Sequence, residues 1–167
     1  MKKFKPILAG SETDSHRLPV LGETLKVNEI LHLGNLRFDI IDVPGHTIGH
    51  LAFYCNELDA LFTGDSLMAF GCGRLFEGTP AMMWKTLSQF KKLPLDTKIY
   101  SGHEYAIKNL EFALSVDSKN KDLQKKYAQI KDLIYRNLPS VPSTIRDELK
   151  INPFLRANTI EIKTSLN

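Results

Sequence analysis

Short segments that are apolar on successive residues restrict the fold more than any other feature of the chain. Segment 36–43 begins with strict alternation and ends apolar on both faces, whereas 51–54 and 60–62 are apolar throughout. Strands of this kind are buried on both sides, and they need a packed layer on each face of their sheet. The sequence therefore predicts an α/β, or layered α+β, fold with a cover on both faces.

Amphipathic helices supply one of these covers. Thr79 and Pro80 form an N-cap and first-turn pair, and the apolar spacing after them predicts a helix that ends before Pro94. A strand is expected next, at 98–100. Further helices are predicted at 105–116, at 120–137 and, as a short last helix, from Ser143.

The second cover is missing from the sequence. The lead-in offers only a short strand at 4–8 and a small hairpin of 25–27 with 30–33, which is too little for an opposing layer. We therefore expect either that another chain completes the sandwich or that part of the protein is absent.

Composition excludes several classes of function. A net charge of +3, with the lysines spread along the chain, does not favour a nucleic-acid partner. No uncharged run approaches the roughly 18 apolar residues of a membrane span, so no membrane association is expected. Cys55 and Cys72 give no disulfide framework, although a disulfide between them stays open, and this predicts a reducing, cytoplasmic location. Cys72 lies between two glycines and is expected to be a small buried side chain rather than a metal thiolate.

Two histidines lie in the turn VPGHTIGH at 43–50, between two apolar strands. A zinc protease places such a pair on a helix with a Glu between them, but Pro44 and Gly45 prevent a helix here and no Glu is present. In an extended segment the two rings lie about 13 Å apart, too far for one ion. We therefore predict that His46 is a metal ligand and that His50 supports it.

Metal-capable side chains follow three predicted strands. His46, Asp65 and His103 each come after an apolar strand and a glycine, at the strand ends where layered α/β folds gather their sites. Imidazoles are neutral zinc ligands, and the two oxygens of a carboxylate can bridge two cations. The pattern indicates a metal site, with unrelated polar residues at strand ends as the alternative.

Several motifs together resemble the C-terminal part of glyoxalase II, the hydroxyacylglutathione hydrolase of the metallo-β-lactamase fold. The histidine turn and the Asp65 motif are shared by the whole superfamily. The motifs specific to glyoxalase II are GCGRLFEGT at 71–79, GHEY at 102–105, VPST at 141–144 and NPFLR at 152–156. The resemblance runs from the region of Asp14 to Arg156. It implies a partial αββα sandwich over 1–104 that lacks its N-terminal half, followed by a helical substrate-binding domain over 105–167 that is truncated at its end.

By this resemblance the protein holds two divalent metals of the zinc, iron or manganese type. It would hydrolyse the glutathione thioester S-D-lactoylglutathione to glutathione and D-lactate, in methylglyoxal detoxification, by attack of a metal-bound hydroxide on the thioester carbonyl. His46 would bind the first metal and His103 the second, and Asp65, the catalytic residue, would bridge both. The substrate-binding residues that the resemblance implies are Arg74, Phe76 and Tyr105.

The chain departs from the family in its metal ligands. The family motif T-H-x-H-x-D-H, which supplies the other ligands of both metals, is absent, and two ligands per cation are fewer than the four that zinc normally takes. Phe76 also lacks the hydroxyl of the tyrosine found there in some members. We expect the chain to be inactive alone. The alternatives are a non-catalytic remnant or one half of a split enzyme that needs an N-terminal partner chain, and another metallo-β-lactamase-fold hydrolase, such as a lactonase or a sulfur dioxygenase.

Overall fold

The computed structural model describes residue 4 and residues 6–166. Its strands are β1 (Ala9–Ser11), β2 (Glu23–Leu25), β3 (Ile30–Leu33), β4 (Leu36–Asp42), β5 (Leu51–Cys55), β6 (Ala60–Gly64), β7 (Leu67–Met68), β8 (Gly71–Cys72), β9 (Lys98–Ser101) and β10 (Ser143–Thr144). Its helices are α1 (Pro80–Phe90), α2 (Ala106–Val116), α3 (Lys121–Tyr135), α4 (Ile145–Ile151) and α5 (Ile160–Ser165). The strands and helices predicted from residue 36 onward are confirmed. The short strands β7, β8 and β10 and the helix α5 are additions to them.

A six-stranded sheet of order β10-β9-β6-β5-β4-β3 forms the centre. Its neighbouring strands are antiparallel except β6 and β9, which are parallel and are joined by a connection that contains α1. Parallel neighbours need such a crossover, usually a helix. Because β4 is antiparallel to β5, and β5 to β6, the strands β4, β6 and β9 all run in one direction. Their carboxyl ends therefore lie at the same edge of the sheet.

Two helices cover one face of this sheet. Thr79 caps α1 as predicted, because its side chain accepts a hydrogen bond from the backbone N–H of Met82. The apolar face of α1 then packs on the sheet together with α4. The residues buried in this core include Ala52 and Leu61 from the strands, Leu87 and Phe90 from α1, and Ile145 from α4. This is the cover that the sequence predicted.

The opposite face carries a row of large side chains. Ile40, Phe53, Phe62 and Tyr100 are cross-strand partners in β4, β5, β6 and β9. Ile40 is buried, whereas Phe62 is 36% exposed and stacks on Tyr100 with ring centroids 5.1 Å apart. The other sheets among the described residues are the two-stranded pairs β1–β2 and β7–β8. Within residues 6–166, then, no second sheet of similar size covers this row, as the sequence predicted.

The helices α2, α3 and α4 share a second core. Leu110 from α2, Leu123 and Ile130 from α3, and Ile151 from α4 are buried together with Phe70, which lies in the turn between β7 and β8. The carboxyl-terminal helices therefore pack on one another and on a turn that belongs to the sheet region. None of the helices in the described part of the chain is long and apolar enough to cross a bilayer.

The lead-in before residue 36 differs from the prediction. The strand predicted at 4–8 is wrong, because neither residue 4 nor residues 6–8 form a strand and the first strand is β1. Residues 1–3 and 5 lie outside the described residues. The segment 25–27, expected to form a hairpin with β3, shares only Leu25 with β2, and β2 pairs in parallel with β1. The hairpin partner of β3 is β4, because Gly34 adopts a φ of +60° in the turn between them.

Candidate functional site

The carboxyl ends of β4, β6 and β9 bring together His46, Asp65 and His103, which we call the strand-end cluster. Asp65 directly follows β6, and its Oδ2 lies 3.4 Å from Nε2 of His46 and 3.5 Å from Nε2 of His103. Two ligands of a tetrahedral zinc ion, with bonds near 2.1 Å, are separated by about 3.4 Å. These distances suit an Asp65 that shares one cation with His46 and another with His103.

His46 is oriented by the loop after β8. Its Nδ1 lies 2.7 Å from the carbonyl oxygen of Arg74. A carbonyl oxygen only accepts hydrogen bonds, so Nδ1 is the donor and Nε2 is the nitrogen that faces Asp65. The His46 ring also packs against the ring of Phe76, with centroids 4.8 Å apart. The loop therefore fixes both the tautomer and the plane of the predicted ligand.

His50 supports Asp65 through the backbone. Its Nε2 accepts a hydrogen bond of 2.9 Å from the N–H of Asp65. Burial lowers the pKa of His50, and the nearby His46 lowers it further. The ring therefore stays neutral at pH 7 and keeps Nε2 as an acceptor. The separation of about 13 Å expected for an extended segment is wrong, because residues 44–49 form turns and bring the His46 and His50 ring centroids to 5.6 Å. The supporting role of His50 rests instead on its Nε2, which is occupied by the N–H of Asp65.

Gly64 makes room for the contact between His50 and Asp65. It has a φ of +52°, and a Cβ on it would lie 2.5 Å from Nε2 of His50. Gly64→Ala is expected to lower the free energy of unfolding by about 2–5 kcal/mol, because left-handed backbone costs about 1–2 kcal/mol and the displaced ring leaves a buried N–H unpaired. Chemical denaturation measures this loss.

Gly34→Ala is the matched control for this substitution. Gly34 has a φ of +60°, and nothing lies within 4 Å of a Cβ placed on it. The control therefore carries only the backbone penalty, about 1–2 kcal/mol. Equal losses in the two variants would show that the His50 contact adds nothing to stability.

The residues predicted to bind substrate surround the strand-end cluster. Phe76 contacts His46, and the guanidinium carbon of Arg74 lies 5.3 Å from the centroid of the Phe76 ring. Tyr105 stacks on His103, with ring centroids 5.0 Å apart. Phe76 is 63% exposed and Tyr105 52%, and Arg74 is also exposed. All three are therefore open to a ligand that reaches the cluster.

The strand-end cluster does not make a complete metal site. Among the described residues, no three histidine, cysteine or acidic side chains are arranged to hold one metal ion. Each cation expected from the sequence would thus have two ligands, with Asp65 in both pairs. Cys72 adds none, because burial raises the pKa of its thiol to about 12 and keeps it protonated at neutral pH. Both cysteines are free, so no disulfide joins them.

Comparison with known proteins identifies the relatives of this chain. A sequence model described as the hydroxyacylglutathione hydrolase C-terminus matches residues 104–167. The hydroxyacylglutathione hydrolase of Roseobacter denitrificans is 47% identical over 95% of the chain, and that of Ruegeria pomeroyi is 48% identical over 93%. The chain is similar to hydroxyacylglutathione hydrolases over nearly all of its length, and residues 104–167 match the carboxyl-terminal region of that family.

The chain spans about three fifths of the length of these relatives. It covers 62% of the Roseobacter denitrificans hydroxyacylglutathione hydrolase and 61% of the Ruegeria pomeroyi protein. The relative from Mesorhizobium japonicum is 41% identical over 99% of the chain, which covers 65% of it. The family resemblance thus extends over nearly all of this chain but over only part of each relative.

Solved structures with a similar backbone show the fold of this chain. ETHE1 from Myxococcus xanthus aligns with 99% of the chain, over 60% of its own length, with a TM-score of 0.66 at 20% identity. The BLEG-1 B3 metallo-β-lactamase aligns with 92% of the chain, over 67% of its own length, with a TM-score of 0.63 at 20% identity. The metallo-β-lactamase fold predicted from the sequence is therefore confirmed.

An ion-pair network from the lead-in holds the histidine turn at 43–50. Arg17 pairs with both Asp14 and Glu77, and a carboxyl oxygen of Glu77 accepts a hydrogen bond of 2.8 Å from the N–H of Ile48. Sequence reasoning missed this network, because Arg17 and Glu77 are 60 positions apart. The available signal was the segment from Asp14 to Arg17, which lies within the family resemblance.

The GHEY motif anchors His103 to the helical region. An oxygen of Glu104 accepts hydrogen bonds from the N–H and the hydroxyl of Ser140, at 3.3 and 3.0 Å. Ser101 donates to the carbonyl oxygen of His103 at 3.0 Å. The residues on both sides of His103 are therefore fixed, and this local support was also not foreseen from the sequence.

Proposed function

We propose that the chain takes part in the hydrolysis of S-(2-hydroxyacyl)glutathione thioesters, with S-D-lactoylglutathione as the typical substrate and glutathione and D-lactate as products. The observation that carries this proposal is the meeting of His46, Asp65 and His103 at one edge of the sheet. The relatives named hydroxyacylglutathione hydrolase supply the reaction. The chain would act in methylglyoxal detoxification, in a reducing compartment such as the cytoplasm, where its two cysteines stay free.

Two divalent cations, of the zinc, iron or manganese type, are the cofactors of this proposal. His46 is assigned to one cation, His103 to the other, and Asp65 to both. Imidazole and carboxylate ligands suit these metals. Because the described residues leave each cation with two ligands, no hydrolytic step is assigned to the chain alone.

The glutathione part of the substrate is assigned to Arg74, Phe76 and Tyr105. A guanidinium such as that of Arg74 can pair with a carboxylate of glutathione through two hydrogen bonds. Phe76 contributes packing only, because it has no hydroxyl, whereas Tyr105 keeps one. We assign residues 1–104 to the metal-binding domain and residues 105–167 to a helical domain that supports substrate binding.

The remaining ligands are assigned to a segment with the T-H-x-H-x-D-H motif, either in the same polypeptide or in an N-terminal partner chain. The half-exposed row that contains Phe62 gives such a segment an apolar face on which to pack. A non-catalytic role is the second candidate, and it is favoured by the incomplete ligand set among the described residues.

Fusion to such a segment tests the proposal. An amino-terminal family segment that carries T-H-x-H-x-D-H is joined before the chain, and hydrolysis of S-D-lactoylglutathione and metal content are measured. The fusion is expected to cleave the thioester with about two metal equivalents bound, whereas the chain alone is expected to bind less than about one equivalent of zinc, at roughly micromolar affinity or weaker. A fusion that folds and binds both metals without cleaving the thioester would favour the non-catalytic role. Tight uptake of two equivalents by the chain alone would contradict the incomplete site.

A further inference from the structure

A buried carboxyl and a buried amide at the end of α4 contact the turn between β7 and β8. Glu148 and Asn152 are both 0% exposed. The carboxyl oxygens of Glu148 accept a hydrogen bond from the N–H of Phe70, at 2.9 and 3.1 Å. The Nδ2 of Asn152 donates to the carbonyl oxygen of Gly71 at 3.0 Å and to Glu148 at 2.7 Å. The two side chains thus bind each other, the turn residue Phe70 and the first residue of β8, Gly71.

This turn depends on contacts from outside. Phe70 has a φ of +64°, which is unfavourable for a residue that carries a side chain. β7 and β8 have two residues each, too few to be stable by themselves. Phe70 and Gly71 are buried, so their backbone groups would lose hydrogen-bond partners without gaining water. Glu148 and Asn152 therefore stabilise a conformation that the turn would not keep alone.

The turn leads directly into the loop that orients His46. A Cβ on Gly73, the residue after β8, would lie 1.8 Å from the backbone oxygen of Asp65 and 3.1 Å from Nδ1 of His46. The backbone therefore passes in direct contact with two members of the strand-end cluster. Arg74 follows, and its carbonyl oxygen faces Nδ1 of His46 at 2.7 Å. A shift of the turn at Gly71 is expected to move this carbonyl, because so few residues lie between them.

We propose that Glu148 and Asn152 are positioning residues, which hold the turn between β7 and β8 and, through the Arg74 carbonyl, set the orientation of His46. The helical region thereby acts on the strand-end cluster as well as on the substrate. The effect of this link on catalysis rests on the function proposed above, whereas the link itself does not.

Packing alone does not account for a carboxyl at this position. Burial raises the pKa of Glu148 to about 7, while the hydrogen bonds from Phe70 and Asn152 act in the opposite direction. An apolar side chain of similar size would fill the space without the desolvation of a charge. Such an apolar side chain could not form the hydrogen bonds that Glu148 makes to the turn.

The two cysteines allow a differential test of the link. Cys72 lies in β8 next to Gly71, and Cys55 lies buried in β5. Labelling by a thiol-reactive disulfide under native conditions reports opening of the loop at Cys72 and opening of the sheet at Cys55. Asn152→Ala is expected to raise the labelling rate of Cys72 about tenfold or more and to leave that of Cys55 unchanged, because the buried carbonyl loses its donor.

Nuclear magnetic resonance of the His46 ring nitrogens gives a second readout. At about pH 8.5, where a free imidazole is neutral, the wild-type proton is expected on Nδ1, and Asn152→Ala is expected to give a mixture of tautomers. Glu148→Gln keeps an oxygen that accepts the N–H of Phe70. Glu148→Ala keeps no such acceptor. Glu148→Gln is therefore expected to show slower labelling of Cys72, and a larger fraction of His46 with its proton on Nδ1, than Glu148→Ala.

Asn120→Ala is the matched control. Asn120 accepts a hydrogen bond from the N–H of Leu123 at the start of α3 and donates one of 3.0 Å to the carbonyl oxygen of Lys150 in α4. Its loss therefore removes an amide that contacts α4 but not the turn between β7 and β8, and lowers the unfolding midpoint. Cys72 protection and the His46 tautomer are expected to stay as in the wild type. The proposal is overturned if Asn152→Ala leaves either readout unchanged, or if Cys72 and Cys55 become reactive together. Neither readout needs hydrolysis, so failure of the fusion experiment and failure of this link are distinguishable.

Discussion

Asp65→Asn is expected to abolish thioester hydrolysis by the fused enzyme, with kcat/KM lower by about 10³-fold or more. Within the strand-end cluster, Asp65 is the member that lies beside both histidines, at 3.4 and 3.5 Å. A neutral amide cannot replace a carboxylate that serves two cations, so this one substitution weakens both sites. Elemental analysis is expected to find that metal content falls together with the rate.

Single histidine substitutions separate the two cation sites. His46→Ala and His103→Ala each remove a ligand from one pair, so each is expected to lose about one metal equivalent, whereas Asp65→Asn loses both. Asp39→Asn is the acidic control, because the half-exposed Asp39 pairs with Arg37 at 3.1 Å on β4. This control is expected to keep the rate within about twofold. Wild-type turnover in Asp65→Asn would refute the shared-ligand assignment.

The strand-end cluster could be predicted because each part of its signal is local. An apolar run marks a strand, and the Gly and polar residue after it mark the strand end. The directions of β4, β6 and β9 then follow from short antiparallel connections and one helical crossover. Once these three strands and their directions are predicted, the same edge of the sheet must carry His46, Asp65 and His103.

The features that the sequence did not reveal depend on distant partners. The pairing of β2 with β1, in place of a hairpin with β3, is decided by tertiary contacts, since three-residue strands carry little pairing information of their own. The hydrogen bond between Glu148 and Phe70 joins residues 78 positions apart. The motif NPFLR indicates the family, but nothing in it shows that Asn152 binds the carbonyl of Gly71.

Glu148 is expected to make the folded chain less stable as the pH rises toward neutrality. Its pKa in the folded chain is about 7, against an ordinary value of 4.5, because burial disfavours the carboxylate. A shift of this size corresponds to at most about 3 kcal/mol of unfolding free energy. Urea denaturation of the wild type and of Glu148→Gln, from about pH 5 to about pH 8, isolates this contribution as the difference between their pH profiles.

The sign of this effect follows from which state keeps the proton. Below about pH 4.5 the carboxyl is protonated in both states, and above about pH 7 it is ionised in both. Between these values the folded chain keeps a proton that the unfolded chain releases, so each rise in pH favours unfolding. Glu148→Gln cannot titrate and is expected to lack this decline, whereas Glu23→Gln, at an exposed position of β2, is expected to keep it. If the wild type instead gained stability over this range relative to Glu148→Gln, the hydrogen bonds from Phe70 and Asn152 would outweigh burial and hold Glu148 ionised.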